Sequence, residues 1–320
     1  MKRIAVLTSG GDAPGMNACI RAVVRTALAE KMDIYGVERG YAGLVNGEIN
    51  RMSSRAVSDV IHRGGTFLKT ARCPEFRDIE VQRRAAEALN AFGIEGLVVI
   101  GGDGTFRGAK DLSDNCGIKV VGIPGTIDND MGYTDFTVGF DTAVNTVLGA
   151  INNIRDTMRS HDRVALLEVM GRHCGDIALY AGVAGGAEHI LVPEMPYNLD
   201  DIIKGIKKSA LRGKVSNLII LAEGAGDRQE IIDYIQKHGD VIVKVVDIGY
   251  IQRGGSPNMQ DRILAARFGS KAVELLRDDT ESCAVGIRDN KVITVPFSEV
   301  DKVKKNFDEK LYSISRILSL

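Results

Sequence analysis

The residues with the clearest chemical potential lie between positions 98 and 130. Asp103 lies in the run GGDG, and Thr126, Asp128 and Asp130 lie in the run PGTIDND. Carboxylates this close together repel one another in a buried crevice unless a cation or a substrate hydroxyl lies between them. The three carboxylates therefore indicate a metal and a general base.

Both runs follow short apolar segments. Leu97 to Ile100 and Val120 to Ile123 are rich in β-branched residues and bounded by glycine or proline, which predicts buried strands of a parallel sheet. The loops that follow parallel strands leave from the same sheet edge, and ligands bind beyond the carboxyl ends of such strands. The acidic residues are therefore expected to meet at one edge.

Glycines shape the first of these loops. Gly101, Gly102 and Gly104 let backbone N–H groups approach a ligand, and a helix beginning near Thr105 would offer its positive end to an anion such as phosphate. GGDG alone also forms ordinary turns, so its meaning depends on the acidic run that follows.

A second glycine loop, from Thr8 to Gly15, lies between a predicted strand, Ile4 to Leu7, and a helix from Met16 to about Glu30. It fits a phosphate cradle and a tight strand-to-helix turn equally well. Arg21 and Arg25 lie one helical turn apart, which by itself favours a solvated basic face.

Composition excludes several classes of protein. The 320 residues carry 41 basic and 42 acidic side chains, so no general charge attracts nucleic acid or an anionic membrane. The five cysteines lack CxxC spacing, and the five histidines lack a metal-binding pattern. No run approaches 18 apolar residues, and the start is not signal-like, so a cytoplasmic protein with no membrane partner is expected.

Motifs along nearly the whole chain, in one order, resemble those of the bacterial-type ATP-dependent 6-phosphofructokinases. They are LTSGGDAPGMN (7–17), RGGT (63–66), TARCPEF (70–76), GGDG, PGTIDND, MGR (170–172), AEG (222–224) and QRGGSP (252–257). The resemblance implies transfer of the ATP γ-phosphoryl group to the 1-hydroxyl of fructose 6-phosphate in glycolysis. GGDG followed by Thr also fits NAD kinases and diacylglycerol kinases, but PGTIDND and QRGGSP do not.

The resemblance also implies a role for each matching residue. ATP would contact Gly11, Arg72, Cys73, Gly102, Asp103, Gly104 and Thr105, and Asp103 would hold Mg²⁺ directly or through water. Asp128 would be the base, assisted by Asp130, with Thr126 bound to substrate and Arg72 and Arg172 stabilising the transferring group. The sugar phosphate would contact Thr126, Asp128, Asp130, Arg163, Met170, Gly171, Arg172, Glu223, Lys244, Tyr250 and Arg253.

Two substitutions distinguish this chain from pyrophosphate-dependent relatives. Those enzymes resemble GGDD and PKTIDND, in which a carboxylate and a lysine fill the space of the nucleotide α-phosphate. This chain has Gly104 and Gly125 instead. ATP is therefore the expected phosphoryl donor.

The pocket for the 6-phosphate departs from the family pattern. Arg163 and Arg253 match, but Lys244 replaces an arginine and Tyr250 replaces a histidine. Lysine loses the bidentate fork, and tyrosine carries no charge near neutral pH. Weak sugar-phosphate binding is expected, with a changed substrate as the rival explanation.

A homotetramer with shared sites and an effector pocket for ADP or phosphoenolpyruvate is also implied. The matching residues are Arg21, Arg25, Asp59, Arg155, Gly186, Glu188, Arg212 and Lys214. Ser216 replaces a family histidine, and Ser54 replaces an arginine of some relatives, so the strength of the effector response is open.

The fold class implied is α/β, with two doubly wound Rossmann-like domains. Residues 1–139 and 257–302 would bind ATP, and residues 140–256 and 303–320 the sugar phosphate. Between Val164 and Val246, strands and helices alternate as this fold requires. Nearer the start, a turn is predicted at Tyr41 to Gly43 and a helix at Arg55 to Ile61.

Two alternatives are retained. The protein could be a kinase acting on another sugar phosphate, or a catalytically weak regulatory homologue that binds ligands. Asp103, Thr126, Asp128 and Arg72 are all present, which argues against the second.

Overall fold

The computed structural model describes residues 1–214 and 216–319. The chain forms two units and passes between them several times. Unit 1 comprises residues 1–127, 131–142 and 253–305, and unit 2 comprises residues 128–130, 143–252 and 306–320. Val215 and Leu320, which fall within the predicted sugar-phosphate domain, lie outside the described residues.

Unit 1 is built on a mostly parallel sheet. Its strands, numbered along the chain, are β1 (Arg3–Thr8), β2 (Asp33–Val37), β3 (Ile49–Arg51), β4 (Gly96–Gly101), β5 (Lys119–Thr126), β6 (Val138–Gly139), β11 (Cys283–Arg288) and β12 (Lys291–Pro296). The order across the sheet is β12-β11-β5-β4-β1-β2-β3, and β6 pairs with the end of β5. The antiparallel strands β3 and β12 lie at the two edges.

Helices accompany this sheet. They are α1 (Met16–Ala29), α2 (Gly40–Val45), α3 (Ile79–Ala91), α4 (Asp103–Cys116), α9 (Met259–Arg277) and α10 (Phe297–Val300), together with the first residues of α5 (Phe140–His161). The inner strands β1, β4 and β5 are almost wholly buried, which is why they appear in the sequence as continuous apolar runs.

Unit 2 contains a smaller, wholly parallel sheet. Its strands are β7 (Val164–Val169), β8 (His189–Leu191), β9 (Asn217–Ala222) and β10 (Val243–Asp247), in the order β10-β7-β9-β8. Its helices are the rest of α5, α6 (Asp176–Ala184), α7 (Leu199–Leu211), α8 (Arg228–Gly239) and α11 (Glu309–Leu318). Alternate residues of β7 and β9 pack against α7 and α8 in one apolar cluster.

The predicted alternation of strands and helices between Val164 and Val246 is confirmed. Two local predictions are wrong. Residues 40–45 form α2 where a turn was expected, and residues 54–59 form successive turns where a helix was expected. In the latter segment hydrogen bonds join Ala56 N–H to Ser53 O and Ser58 N–H to Arg55 O, and Asp59 adopts a left-handed φ of 53°, which ends any helix.

Among the described residues, none of the helices has both the length and the apolar character needed to cross a membrane.

Candidate active site

Two loops meet at the carboxyl edge of the unit 1 sheet. Because β1 pairs with β4 in parallel, the loop after Thr8 lies beside the loop after Gly101. Ser9 N–H donates to Ile100 O at 3.0 Å, and the buried Thr105 hydroxyl donates to Ser9 O at 3.1 Å. The side chain of Thr105 therefore joins the two loops. Thr105 was predicted to contact ATP, and in the structure its hydroxyl is used to hold the loops together.

The glycines of GGDG serve two different purposes. A Cβ on Gly101 would lie 2.3 Å from Thr105 Oγ1 and 2.4 Å from Ser9 O, so glycine is required there by internal packing. A Cβ on Gly104 would meet nothing within 4 Å. The space above Gly104, at the start of α4, is therefore left open by the protein, and the positive end of the helix dipole favours an anion there.

Asp103 begins α4, and its carboxylate is half exposed, with Arg107 Nη2 at 3.3 Å. Among the described residues, no group of three or more His, Cys, Asp or Glu side chains could hold a metal. Mg²⁺ keeps several waters and is usually held by one or two carboxylates together with substrate phosphates. A single open carboxylate beside an anion cradle fits that mode of binding.

The first glycine loop carries a guanidinium group against it. Arg253 Nη1 donates to Asp12 O at 3.4 Å, and a Cβ on Gly11 would lie 2.4 Å from the same nitrogen. Arg253, expected in the 6-phosphate pocket, therefore lies against the first glycine loop within unit 1.

Arg72 is exposed and has no side-chain hydrogen bond or ion pair within the described part of the chain, so its cation is available to a ligand. Beside it, Cys73 is partly buried. Burial, followed by a hydrogen bond with Glu75, raises the pKa of the Cys73 thiol to about 11. Cys73 therefore offers a neutral thiol rather than a nucleophile.

The acidic loop continues into unit 2, where Asp128 and Asn129 are almost fully buried. Arg172 Nε lies 3.2 Å from Asp128 Oδ2, and this charge-assisted contact orients the carboxylate. Asn129 has a left-handed φ of 53°, and its amide donates to the buried Asp176 at 2.8 Å. Asp176 thus holds the loop in shape, although sequence reasoning gave it no role.

The loops MGR and AEG follow β7 and β9 and contact each other. Arg172 N–H donates to Glu223 Oε1 at 2.6 Å, and a Cβ on Gly224 would lie 2.1 Å from Arg172 O. Arg172 itself has a left-handed φ of 54°, an uncommon conformation for an arginine. Buried Gln252 accepts a hydrogen bond from Met170 N–H at 3.0 Å. The structure therefore brings Asp128, Met170, Gly171, Arg172 and Glu223 into one cluster.

Two predicted phosphate ligands lie at the opposite end of the unit 2 strands. Arg163 immediately precedes β7, and Lys244 on β10 pairs with Ala165, so both side chains lie on one face near the amino ends. Arg172 and Glu223 follow the carboxyl ends of β7 and β9. A strand of this length spans about 20 Å. Unit 2 of a single chain therefore cannot place the two residues at the amino ends and the two at the carboxyl ends around one ligand. Tyr250 is 83% exposed, in a short helical turn after β10.

Four of the predicted effector residues form a second cluster in unit 2. Glu188 is buried, and its Oε1 lies 2.6 Å from Lys214 Nζ and 3.6 Å from Arg155 Nη1. Arg155 also donates to the carbonyl oxygens of Gly185 and Gly186. Arg212 is exposed nearby in sequence, and Arg21, Arg25 and Asp59 belong to unit 1.

An open helix start and two glycine loops at the carboxyl edge of a parallel sheet define the class of nucleotide-binding α/β proteins. A phosphofructokinase family model matches residues 3–276. The chain belongs to the phosphofructokinase family. It is 57% identical to proteins named ATP-dependent 6-phosphofructokinase from Clostridium tetani and Clostridium botulinum, over 319 residues that cover all of both chains.

Solved structures of phosphofructokinases have a fold similar to that of this chain. The phosphofructokinase of Saccharomyces cerevisiae superposes with a TM-score of 0.89 at 34% identity over 98% of this chain, which spans only 50% of the yeast chain. A pyrophosphate-dependent phosphofructokinase from Marinobacter aquaeolei has a TM-score of 0.84 at 24% identity and shares the fold. The α/β fold class predicted from the motifs is thereby confirmed.

Proposed function

We propose that the protein transfers the γ-phosphoryl group of ATP to the 1-hydroxyl of fructose 6-phosphate, giving fructose 1,6-bisphosphate and ADP in glycolysis. The observation that most supports this function is the full-length match to relatives that bear the name ATP-dependent 6-phosphofructokinase. The buried, arginine-paired Asp128 suits the required base. A cytoplasmic location goes with this activity.

Asp128 accepts the proton of the attacking hydroxyl. The sugar oxygen then forms a bond to the γ-phosphorus as the bond from that phosphorus to the β,γ-bridging oxygen breaks, and ADP leaves. Arg172 holds the Asp128 carboxylate in orientation and stabilises negative charge on the transferring group. Asp130 assists the base, and Thr126 hydrogen-bonds the substrate.

Asp103 would hold Mg²⁺, either directly or through water. The ion, when bound, neutralises charge on the phosphoryl oxygens. The loop residues Gly11, Gly102 and Gly104 bind the nucleotide phosphates through backbone N–H groups. The guanidinium group of Arg72 stabilises the negative charge of the transferring phosphoryl group. Cys73 and Thr105 complete the proposed ATP site. We accordingly assign ATP to residues 1–139 and 257–302 and sugar phosphate to residues 140–256 and 303–320.

ATP is the proposed donor because the space above Gly104 is open. A Cβ at Gly104 meets no other atom within 4 Å, so room remains for the α-phosphate that pyrophosphate lacks. An aspartate there would place a negative charge next to that phosphate.

The sugar's 6-phosphate is proposed to bind between two chains of a homotetramer. The positions of Arg163 and Lys244 at the amino ends of β7 and β10 support this arrangement, because they suit a ligand of the neighbouring subunit. Tyr250 and Arg253 come from the chain that supplies Asp128. Lys244 and Tyr250 make this pocket weaker than one of arginines and histidine.

We also propose an effector pocket for ADP or phosphoenolpyruvate at the cluster of Arg155, Gly186, Glu188 and Lys214. Arg212 belongs to the same pocket, and Arg21, Arg25 and Asp59 complete it from a neighbouring subunit. Two cations share the single Glu188 carboxylate, which leaves positive charge for a phosphate.

Sedimentation should give a tetramer, and ADP or phosphoenolpyruvate should shift fructose 6-phosphate saturation. A monomer, or saturation unmoved by millimolar effector, would contradict this part.

A coupled assay of ADP release tests the activity. Purified protein with Mg²⁺ is expected to release ADP from ATP only when fructose 6-phosphate is present, and to use pyrophosphate poorly. Faster turnover with another sugar phosphate would favour a kinase of different specificity. Ligand binding without turnover would identify a regulatory homologue.

A further inference from the structure

A buried carboxylate that the proposed chemistry does not use lies in the first turn of α9. Asp261 is 1% exposed. Its Oδ1 accepts a hydrogen bond from Gly139 N–H at 2.8 Å, and its Oδ2 accepts two from Thr142, at 2.8 Å from N–H and 2.5 Å from the hydroxyl. One side chain of α9 therefore binds both β6 and the start of α5.

The start of α9 is built so that this carboxylate is available. Asn258 is the N-cap residue, and its side chain accepts from Asp261 N–H at 3.0 Å. In a capping box the acidic residue at this position would bind back to the N-cap N–H. Here Thr142 Oγ1 accepts the Asn258 N–H at 3.0 Å instead. Asp261 is thereby released to hold the neighbouring segment.

The segment that Asp261 holds lies against the acidic loop. β6 pairs with the end of β5, with Val138 opposite Gly125 and Gly139 opposite Thr126. The Thr137 hydroxyl also donates to Thr126 O at 2.6 Å. Thr126 precedes the proposed base, Asp128, by two residues, so the position of β6 sets where that loop begins.

The other side of β6 is fixed by the nucleotide loop. A Cβ on Gly139, which has φ 107°, would lie 2.6 Å from the Cβ of Ala13. A Cβ on Gly15, with φ 108°, would lie 2.6 Å from Val138 Cγ1. β6 is therefore held on one side by close backbone contact and elsewhere by the carboxylate of Asp261.

Asp261 is ionised at neutral pH. Burial raises its pKa to about 6, the bonds from Thr142 and Gly139 lower it, and nearby Asp141 raises it. An ionised carboxylate accepts from all three donors at once. An asparagine in its place would turn an NH₂ group toward an N–H donor, so it cannot hold both sides.

We infer that Asp261, with Thr142, is a positioning residue for phosphoryl transfer: it fixes β6, and through β6 the backbone at Gly125 and Thr126 that carries the catalytic loop. This inference rests on the proposed function. It extends that function to a residue that contacts neither substrate.

The Thr142 hydroxyl offers a matched test. Thr142→Val keeps the shape and removes the hydroxyl, Thr142→Ser restores the hydroxyl, and Asp261→Asn removes the charge. Thr26→Val is the control, since it removes a partly buried hydroxyl bonded to Ser270 at 3.0 Å, far along α1 and α9 in sequence from β6. Steady-state kinetics would be measured well below each variant's melting temperature, so that every variant is folded.

Thr142→Val is expected to lower kcat about tenfold or more, because a small displacement of reacting groups is costly. KM for ATP and for fructose 6-phosphate should change little, Thr142→Ser should restore kcat, and Asp261→Asn should lower kcat at least as much as Thr142→Val. If Asp261→Asn does not fold, the Thr142 pair decides. An unchanged kcat in Thr142→Val, or an equal loss in Thr26→Val, would overturn the inference. Absence of fructose 6-phosphate turnover in the wild type would instead refute the proposed function.

Discussion

The two units hold their candidate site residues by different means. In unit 1 the candidate phosphate site is formed by the backbone of the glycine loops. Close packing requires glycine at position 101, whereas the space beside Gly104 is open. In unit 2 the cluster is made of charged side chains, such as the Asp128–Arg172 pair, and Lys244 and Tyr250, two of the residues proposed to bind the sugar's phosphate, are exposed. The proposed nucleotide site is thus formed mainly by backbone of one chain, whereas the proposed sugar-phosphate site depends on side chains whose ligand or neighbouring subunit is part of the proposal.

The largest effect is expected from the buried acid of unit 2. Asp128→Ser should lower kcat by roughly 10²–10⁴-fold, because a general base acts only in the transition state. KM for ATP should remain near its wild-type value, since the loops proposed to bind the nucleotide belong to unit 1. Steady-state kinetics would check this, and a kcat within about threefold of wild type would remove Asp128 from the mechanism.

The open space of unit 1 predicts the next effect. Gly104→Asp should raise KM for ATP by about tenfold or more, equivalent to roughly 1.4 kcal/mol of lost binding, because its carboxylate would repel the phosphates proposed to bind there. Gly104→Ala is the control, since its methyl group enters empty space. Equal ATP affinity in both variants, measured by calorimetry, would show that no phosphate approaches Gly104.

The exposed residues Lys244 and Tyr250 of unit 2 predict an improvement in sugar-phosphate binding. Lys244→Arg combined with Tyr250→His should lower the fructose 6-phosphate half-saturation by about tenfold, because a bidentate and a cationic donor replace weaker groups. The single replacements serve as controls and should each give part of the gain. If the double variant improves turnover only with another sugar phosphate, the departures at these positions reflect a different substrate.

The smallest expected effects are on stability, and they have opposite signs in the two units. Burial lowers the pKa of His189 in unit 2 to about 4, while Glu188 raises it and Lys214 lowers it. The unfolded chain binds this proton near pH 6.5, so His189 costs about 2–3 kcal/mol as pH falls toward 4. Asp261 in unit 1 has a raised pKa, so its contribution to stability grows on acidification and is lost as pH rises through about 6.

Urea unfolding at a series of pH values would measure both contributions. His189→Asn should flatten the loss of stability below pH 6.5. Asp261→Asn should make the free energy of unfolding fall more steeply below pH 6.5. The substitution removes the stabilisation that Asp261 gains as it is protonated, which opposes the loss caused by His189. Identical pH profiles for the two variants would contradict the assigned environments.

The strand, glycine turn and helix of the GGDG segment could be predicted from sequence because their causes are local. A buried strand followed by glycines and a helix is visible in the run from Leu97 to Thr105. The prediction of a helix at residues 55–61 was wrong because Asp59 takes a left-handed backbone conformation. Aspartate permits this conformation but does not require it, so the sequence does not reveal it.

The residues missed by sequence reasoning are those that act across long separations. Asp261 binds Gly139, Asp176 binds Asn129, and Gln252 binds Met170, each pair separated by more than 40 positions. Nothing in the local pattern reveals such a partner. Asn258 is the N-cap residue of α9, but the usual capping-box geometry would give the wrong partner for the Asp261 carboxylate.

Transfer of phosphate from ATP to the sugar's 1-hydroxyl is the reaction proposed for this protein. Mass spectrometry and phosphorus NMR of the products from purified protein, ATP, Mg²⁺ and fructose 6-phosphate test it directly. Fructose 1,6-bisphosphate and ADP are expected in equal amounts, with neither formed by Asp128→Ser on the same timescale. ADP without a phosphorylated sugar, or phosphorylation at another hydroxyl, would contradict it.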